Sequence, residues 1–162
     1  MKMEQKILGE MCFGKELVVL NIRAESSLEV LDILAKRLLE EGLVKDTYAD
    51  AVKAREKVYA TGLELPEMSI AIPHTDAVHV NTPALCLGIL EQPVSFGAMG
   101  TSDQFVQTEV VFMLAIKEPH AQLKVLQALM KVFQKEGRLS ALKACKTQED
   151  AAKMLMELLQ NA

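Results

Sequence analysis

The stretch that decides both the fold and the site reads Ser69-Ile70-Ala71-Ile72-Pro73-His74-Thr75. Its apolar run predicts a short strand, and Pro73 predicts the strand's end, because proline lacks a backbone donor and restricts the residue before it. We therefore expect His74 on a rigid turn at a strand end, where scaffolds commonly display functional groups. A neutral imidazole offers a ring-nitrogen lone pair, so His74 is a candidate nucleophile. The alternative is a histidine that only hydrogen-bonds beside a turn.

The composition predicts one globular domain that spans residues 1–162, with half of its residues hydrophobic and a quarter charged. A net charge of −4 argues against nucleic-acid binding, which requires a basic surface. The longest apolar run, Val110 to Ile116, is too short to cross a bilayer, and residues 1–13 do not resemble a signal peptide. We therefore expect a cytoplasmic protein without membrane insertion.

The three cysteines, at positions 12, 86 and 145, form no Cys-x-x-Cys pair. This spacing excludes the zinc-ribbon and redox motifs and favours buried thiols in a reducing compartment.

Apolar periodicity and capping signals predict strands that alternate with helices. The predicted strands cover 17–23, the stretch up to His74, 83–94 and 108–117, and the predicted helices cover 27–41, 47–60, 120–136, 139–144 and 148–160. Ser26 with Glu29, and Thr47 with Asp50, have the spacing of helix caps. Residues 63–68 are predicted to be a loop, and Pro93 is predicted to turn or bend the chain. The fold class that follows is α/β, a single-domain sandwich with a mixed β-sheet flanked by helices.

Other chemistries are less well supported by the residue pattern. His74, Asp76 and His79 could hold a metal ion and act as a hydrolase, but no further Cys or His lies nearby to complete a tetrahedral set. No G-x-S-x-G elbow and no glycine-rich phosphate loop is present, which disfavours serine hydrolases and nucleotide enzymes.

Two further residues could bind an anionic group. His120 follows Pro119 at a predicted helix N-terminus, which favours anions, and Arg55 could offer a planar fork to phosphate. The alternatives are an inert first-turn histidine and a solvated arginine, and the charged neighbours Glu56 and Lys57 suggest an exposed face for Arg55.

Taken together, Arg55-Glu56, Thr61-Gly62 and Ile70-Ala71-Ile72-Pro73-His74 resemble the IIA component of the bacterial sugar phosphotransferase system, fructose/mannitol type. The likeness covers essentially the whole chain. It implies that His74 accepts a phosphoryl group from the phosphocarrier HPr and passes it to a cysteine of a separate IIB component, which serves the membrane IIC component. It implies a phosphotransferase with a phosphohistidine intermediate, and no metal ion or other cofactor is expected.

The chain departs from the common pattern of that family in two places. The long connection at residues 63–68 and the pair Asp46-Thr47 resemble the galactitol branch, which implies galactitol uptake. Gln122 stands where the family usually has a second histidine before a leucine, and His120 lies two residues earlier. Two positions on a helix correspond to roughly 200° of rotation, so His120 does not simply inherit that role. The assignment stays open between Gln122 and His120.

The resemblance leads to a specific expectation for the site. Arg55, Thr75, Gln122 and the helix N-terminus at His120 are candidates to support the phosphoryl group on His74. Val78, Val80 and residues 63–68 are expected to form an exposed apolar rim for protein partners. The alternative function is a regulatory binding module, in which phosphorylation of the same histidine switches contacts with target proteins.

Overall fold

The computed structural model describes residues 6–8 and 11–161 and contains seven strands and five helices in that part of the chain. The strands are β1 Lys6–Ile7, β2 Met11–Cys12, β3 Val18–Ile22, β4 Gly62–Glu64, β5 Ser69–Ala71, β6 Ala84–Gly97 and β7 Phe105–Ala115. The helices are α1 Ser27–Glu40, α2 Tyr48–Val58, α3 Pro119–Gln134, α4 Arg138–Lys143 and α5 Gln148–Gln160, and short 3-10 helices cover Lys15–Leu17 and Ala77–His79. Part of the segment 1–13, which was inspected for a signal peptide, lies outside the described residues.

All seven strands join one mixed sheet in the order β1-β2-β6-β7-β5-β4, with β3 also pairing with β6. Strands β6 and β7 form a long antiparallel hairpin, and β5 runs parallel to β7. Residues 110–116 are buried, as expected for a central strand covered on both faces. Helix α1 packs on this hairpin and on α2, whereas α3, α4 and α5 contact one another and α5 lies along β3. The predicted α/β sandwich with a mixed sheet is confirmed.

Local signals located several helix ends correctly. The Ser26 hydroxyl accepts from the Glu29 N–H at 3.3 Å, and the Thr147 hydroxyl accepts from the Asp150 N–H at 3.0 Å. Pro119 occupies the first turn of α3, where its missing N–H costs no hydrogen bond.

The predicted loop at residues 63–68 is wrong at its first two residues. Gly62–Glu64 forms β4, which pairs antiparallel with β5 and makes a hairpin out of the connection. Gly62 begins this strand, and α2 ends earlier, at Val58. A Cβ atom at position 62 would lie 2.6 Å from the Gly97 carbonyl oxygen, so only glycine lets β4 approach the β6–β7 hairpin.

Pro93 does not turn the chain, because β6 continues through it to Gly97. The register with β7 shifts between Ile89 and Val94, and Pro93 lies within this irregularity, where strands tolerate proline.

Thr47 is the N-cap residue of α2, as its spacing to Asp50 predicts, but the side-chain hydrogen bond of such a cap is absent. The Thr47 hydroxyl lies 2.8 Å from Nδ1 of His79 instead. This bond joins the start of α2 to the segment that follows His74.

Candidate functional site

His74 lies at the carboxyl end of β5, and the backbone before it is held from both sides. The Ile72 N–H donates to the Thr61 carbonyl at 3.4 Å, next to β4. The Leu114 N–H, on β7, donates to the Pro73 carbonyl at 2.9 Å. The sheet thus fixes the two residues that precede the histidine, as the strand–proline pattern predicts.

The imidazole of His74 has one ring nitrogen bound to the backbone. Nδ1 lies 3.0 Å from the Ile72 carbonyl oxygen, which only accepts, so Nδ1 carries the hydrogen. Nε2 is then the nitrogen with the lone pair, and it lies 3.4 Å from the side-chain nitrogen of Gln122. This arrangement selects the tautomer in which Nε2 carries the lone pair.

The surroundings of His74 favour its neutral form. Burial is the main factor that lowers its pKa below the ordinary value of 6.5, and the positive charge of Arg55 acts in the same direction. The hydrogen bond to the Ile72 carbonyl and the charge of Asp76 oppose these effects without cancelling them. The imidazole therefore keeps its lone pair at neutral pH.

Arg55 brings a guanidinium group from the last turns of α2 towards the same segment. Its Nη1 lies 3.9 Å from Oδ1 of Asp76, and its guanidinium carbon lies 5.0 Å from the centre of the Tyr59 ring. Nε of Arg55 is buried and has no hydrogen-bond partner among the described residues. A buried donor without a partner is costly, so this nitrogen is an unsatisfied feature of the site.

The residue next to Arg55 contradicts the prediction of an exposed face. Glu56 is 7% exposed, and its carboxylate accepts from the N–H of Thr61 at 2.8 Å and from its hydroxyl at 2.9 Å. Burial raises the pKa of Glu56 to about 7, although both hydrogen bonds and the Arg55 charge oppose the shift. Reasoning from charge pattern missed this contact, and the only sequence signal was the Arg-Glu and Thr-Gly spacing.

The structure brings Gln122, and not His120, to His74. Both residues lie in the first two turns of α3, but Gln122 is half-buried and faces the imidazole. His120 is exposed and lines a separate cleft with Met11, Pro83 and Lys124. The turn of the helix between the two positions accounts for the different directions. Thr75 directly follows His74 and is half-buried.

The second histidine of the same segment does not face His74. Nδ1 of His79 pairs with Thr47, and the His79 carbonyl accepts from the Lys45 N–H at 2.9 Å. Within residues 6–8 and 11–161, no group of three His, Cys, Asp or Glu side chains is arranged to hold a metal ion.

The cysteines lie away from solvent for the most part. Cys12 and Cys86 are buried, and burial raises the pKa of the Cys86 thiol to about 12. Such a thiol is a poor nucleophile.

Three exposed apolar side chains lie on the segments that carry the site residues, and among them only Val78 was expected. Val78, Leu123 and Tyr59 are 65%, 57% and 63% exposed. Val78 is four residues after His74, Leu123 directly follows Gln122, and the Arg55 guanidinium lies over the Tyr59 ring. Val80, which was expected in the apolar rim, is buried because it bridges to Val44 beneath the segment. Leu63 and Leu65 are half-buried against the core.

In the described ranges, none of the helices combines the length and the apolar character that a bilayer crossing requires.

Comparison with known proteins identifies the family to which this chain belongs. The family model "Phosphoenolpyruvate-dependent sugar phosphotransferase system, EIIA 2" matches residues 11–158. The galactitol-specific EIIA component of Escherichia coli (strain K12) is 36% identical over 101 residues, which cover 62% of this chain and 67% of that protein. The transcriptional regulator ManR of Bacillus subtilis is 35% identical over 101 residues, which cover 62% of this chain and 14% of the regulator.

Among solved structures, the mannitol enzyme IIA of Escherichia coli, determined in complex with phosphorylated enzyme IIB, has the same fold. Its TM-score is 0.70 at 23% identity, and the match covers 92% of this chain and 97% of that one. Because the family model spans nearly all of the chain, including the His74 segment, the protein belongs to the EIIA 2 family of the phosphoenolpyruvate-dependent sugar phosphotransferase system.

Proposed function

We propose that this protein is a phosphoryl carrier in which Nε2 of His74 takes a phosphoryl group from phospho-HPr and passes it to a cysteine of a IIB component. The observation that carries the proposal is the 3.0 Å contact between Nδ1 and the Ile72 carbonyl, which leaves Nε2 unprotonated and turned towards Gln122. Family membership supplies the class of reaction.

Each transfer exchanges one bond to phosphorus for another. In the first step the Nε2 lone pair forms the N–P bond while the N–P bond of the donor phosphohistidine breaks, and its electron pair returns to the donor ring. In the second step a IIB thiolate forms the S–P bond and the electron pair of the breaking N–P bond returns to Nε2. The hydrogen on Nδ1 stays in place throughout.

The charge on the phosphoryl oxygens requires donors, and two side chains are suited to supply them. Arg55 offers a guanidinium whose Nε has no partner among the described residues, and Gln122 offers an amide at the nucleophilic nitrogen. Thr75 is a further candidate because it directly follows His74. We do not assign this role to His120, whose exposed side chain lines another cleft.

Transfer between proteins requires a surface on which two partners can dock in turn. The exposed apolar side chains of Val78, Leu123 and Tyr59 are candidates for such a surface, because they lie on the segments that carry His74, Gln122 and Arg55. We infer that HPr and IIB use it alternately in the cytoplasm, and that the membrane IIC component is served only through IIB. The identity of 36% to a galactitol-specific component favours galactitol as the transported sugar alcohol.

A second candidate function is regulatory. The segment similar to ManR covers the same share of this chain as the galactitol match, so a phosphorylation-dependent binding module is a related possibility. The two functions differ in the fate of the phosphoryl group, because a carrier releases it to a IIB cysteine.

The test is intact-protein mass spectrometry after incubation with phosphoenolpyruvate, enzyme I and HPr. We expect one acid-labile phosphoryl adduct on the wild type and on His120→Ala, and none on His74→Ala. Adding the galactitol IIB protein should then remove the adduct. An unmodified wild type in the presence of phosphorylated HPr would contradict the proposal, and an adduct that IIB leaves in place would favour the regulatory function.

A further inference from the structure

The buried carboxylate of Glu56 connects to the imidazole of His74 through two backbone groups. We propose that Glu56 is a positioning residue, which acts through Thr61 and Ile72 to hold the carbonyl that anchors the His74 ring. The inference rests on the proposed function for its catalytic consequence, but its structural consequence can be measured on the protein without any phosphoryl donor.

The first link fixes Thr61. Both carboxylate oxygens of Glu56 are used, one by the Thr61 N–H at 2.8 Å and the other by the Thr61 hydroxyl at 2.9 Å. A residue held by its backbone and its side chain together has little freedom to move. Helix α2 ends at Val58, so this contact also fixes the short connection between the helix and β4.

The second link passes from Thr61 to Ile72. The last paired residues of β4 and β5 are Gly62 and Ala71, and the Thr61 carbonyl accepts from the Ile72 N–H one step beyond them, at 3.4 Å. The strand pairing alone would leave Ile72 free on this side. The contact with Thr61 therefore sets the orientation of the peptide groups that flank Ile72.

The third link reaches the imidazole. The Ile72 carbonyl accepts from Nδ1 of His74, and this bond decides which ring nitrogen bears the hydrogen. A neutral imidazole without such an anchor can adopt either tautomer. In the other tautomer Nε2 carries a hydrogen and has no lone pair for phosphorus.

The same helix also carries Arg55, so one element sets both the donor to the phosphoryl group and the position of the nucleophile. A buried carboxylate is costly, and burial indeed raises its pKa to about 7. The exact hydrogen-bond match to Thr61 offsets part of that cost, and positioning of the site gives a reason for its presence.

The experiment uses the full chain labelled with 15N in its three histidines. Long-range ring spectra distinguish the Nδ1–H from the Nε2–H tautomer, and His74→Ala identifies the His74 signals. The variants are Glu56→Gln, Thr61→Val and the conservative Thr61→Ser. Glu109→Gln is the matched control, because it removes a half-buried carboxylate that is paired with Lys143 and makes no side-chain hydrogen bond to Thr61 or Ile72.

We expect the wild type, Thr61→Ser and Glu109→Gln to have mainly the Nδ1–H tautomer, and Glu56→Gln and Thr61→Val to have a mixture. The rate of phosphorylation by phospho-HPr should fall roughly tenfold in Glu56→Gln, since small displacements of reacting groups have effects of this order or larger. Circular dichroism verifies that each variant is folded. A wild-type tautomer ratio in both Glu56→Gln and Thr61→Val would overturn the proposal, whether or not HPr phosphorylates the protein. A mixed tautomer ratio in the wild type would also overturn it, since the Ile72 carbonyl would then not anchor the His74 ring.

Discussion

The ionisation of Glu56 should leave a distinct mark on the pH dependence of stability. Burial raises the pKa of this carboxyl from 4.5 to about 7. One pKa unit corresponds to about 1.4 kcal/mol, so the shift amounts to about 3 kcal/mol of the free energy of unfolding. Because the folded state binds the proton more tightly, this stability is fully present below the unfolded pKa and is lost as the pH rises through the folded pKa.

The effect of Glu56 can be separated from that of other groups by comparison with Glu56→Gln. The lowered pKa of His74 acts in the opposite sense, since its contribution is lost as the pH falls through the folded pKa. Subtracting the variant from the wild type removes this and every other shared contribution. The wild type should therefore lose about 3 kcal/mol relative to Glu56→Gln between roughly pH 4 and pH 8.

The assay is urea unfolding followed by far-ultraviolet circular dichroism, because the chain has no tryptophan. Glu64→Gln, at an exposed position of β4, measures what the loss of a surface carboxylate does. A hydrogen bond lost in Glu56→Gln shifts the two curves apart by a constant amount, so only the change with pH tests the ionisation. A gap between wild type and Glu56→Gln that is the same at every pH would refute the reasoning.

Three further changes test other parts of the structure. Gly62→Ala should lower the free energy of unfolding by about 2–3 kcal/mol, because the new Cβ meets the Gly97 carbonyl oxygen at 2.6 Å. Gly100→Ala has open space around the new Cβ but a φ of +78°, and in the same urea assay it should lower the free energy of unfolding by only about 1 kcal/mol. Glu67 accepts from the Gly137 N–H and from Ser140, and the Ser140 hydroxyl is the main factor that lowers the pKa of Glu67. The stability that these bonds contribute is therefore present above the ordinary carboxyl pKa and is lost as the pH falls. In thermal melts, the difference in melting temperature between wild type and Glu67→Gln should become smaller on acidification, and a difference that grows would contradict this. Gln122→Ala should slow phosphorylation by phospho-HPr by up to about tenfold through the loss of one hydrogen bond. Gln122→His should give the rate of phosphorylation a new pH dependence near ~6.5. Unchanged rates and pH profiles in both variants would show that the Gln122 side chain does not act on the transfer.

The sequence predicted those features whose causes lie within a few residues. The Ser26 cap, Pro119 at the start of α3 and the strand end before His74 depend on local backbone chemistry, and all three appear in the structure. Features that depend on distant neighbours were missed. Strand β4 needs the Gly97 backbone beside Gly62, and the burial of Glu56 needs the partner that Thr61 provides after the chain reverses. Neither apolar periodicity nor charge pattern contains information on such distant contacts. The charged residues Glu56 and Lys57 therefore suggested an exposed face, although the Glu56 carboxylate is buried.

The proposed carrier has to hold a phosphoryl group on His74 and then release it to the next protein. Any interaction that stabilises the phosphohistidine more than the transition state raises the barrier to the next transfer. Here the tautomer is fixed by a neutral carbonyl, that of Ile72, and not by a carboxylate. The proposed donors are the guanidinium of Arg55, which also lies 3.9 Å from Asp76, and the neutral groups of Gln122 and Thr75. Burial lowers the pKa of His74, which keeps the ring nucleophilic and also makes it a better leaving group. These properties are consistent with the proposed reversible transfer between two proteins, and they are less suited to storage of a phosphoryl group.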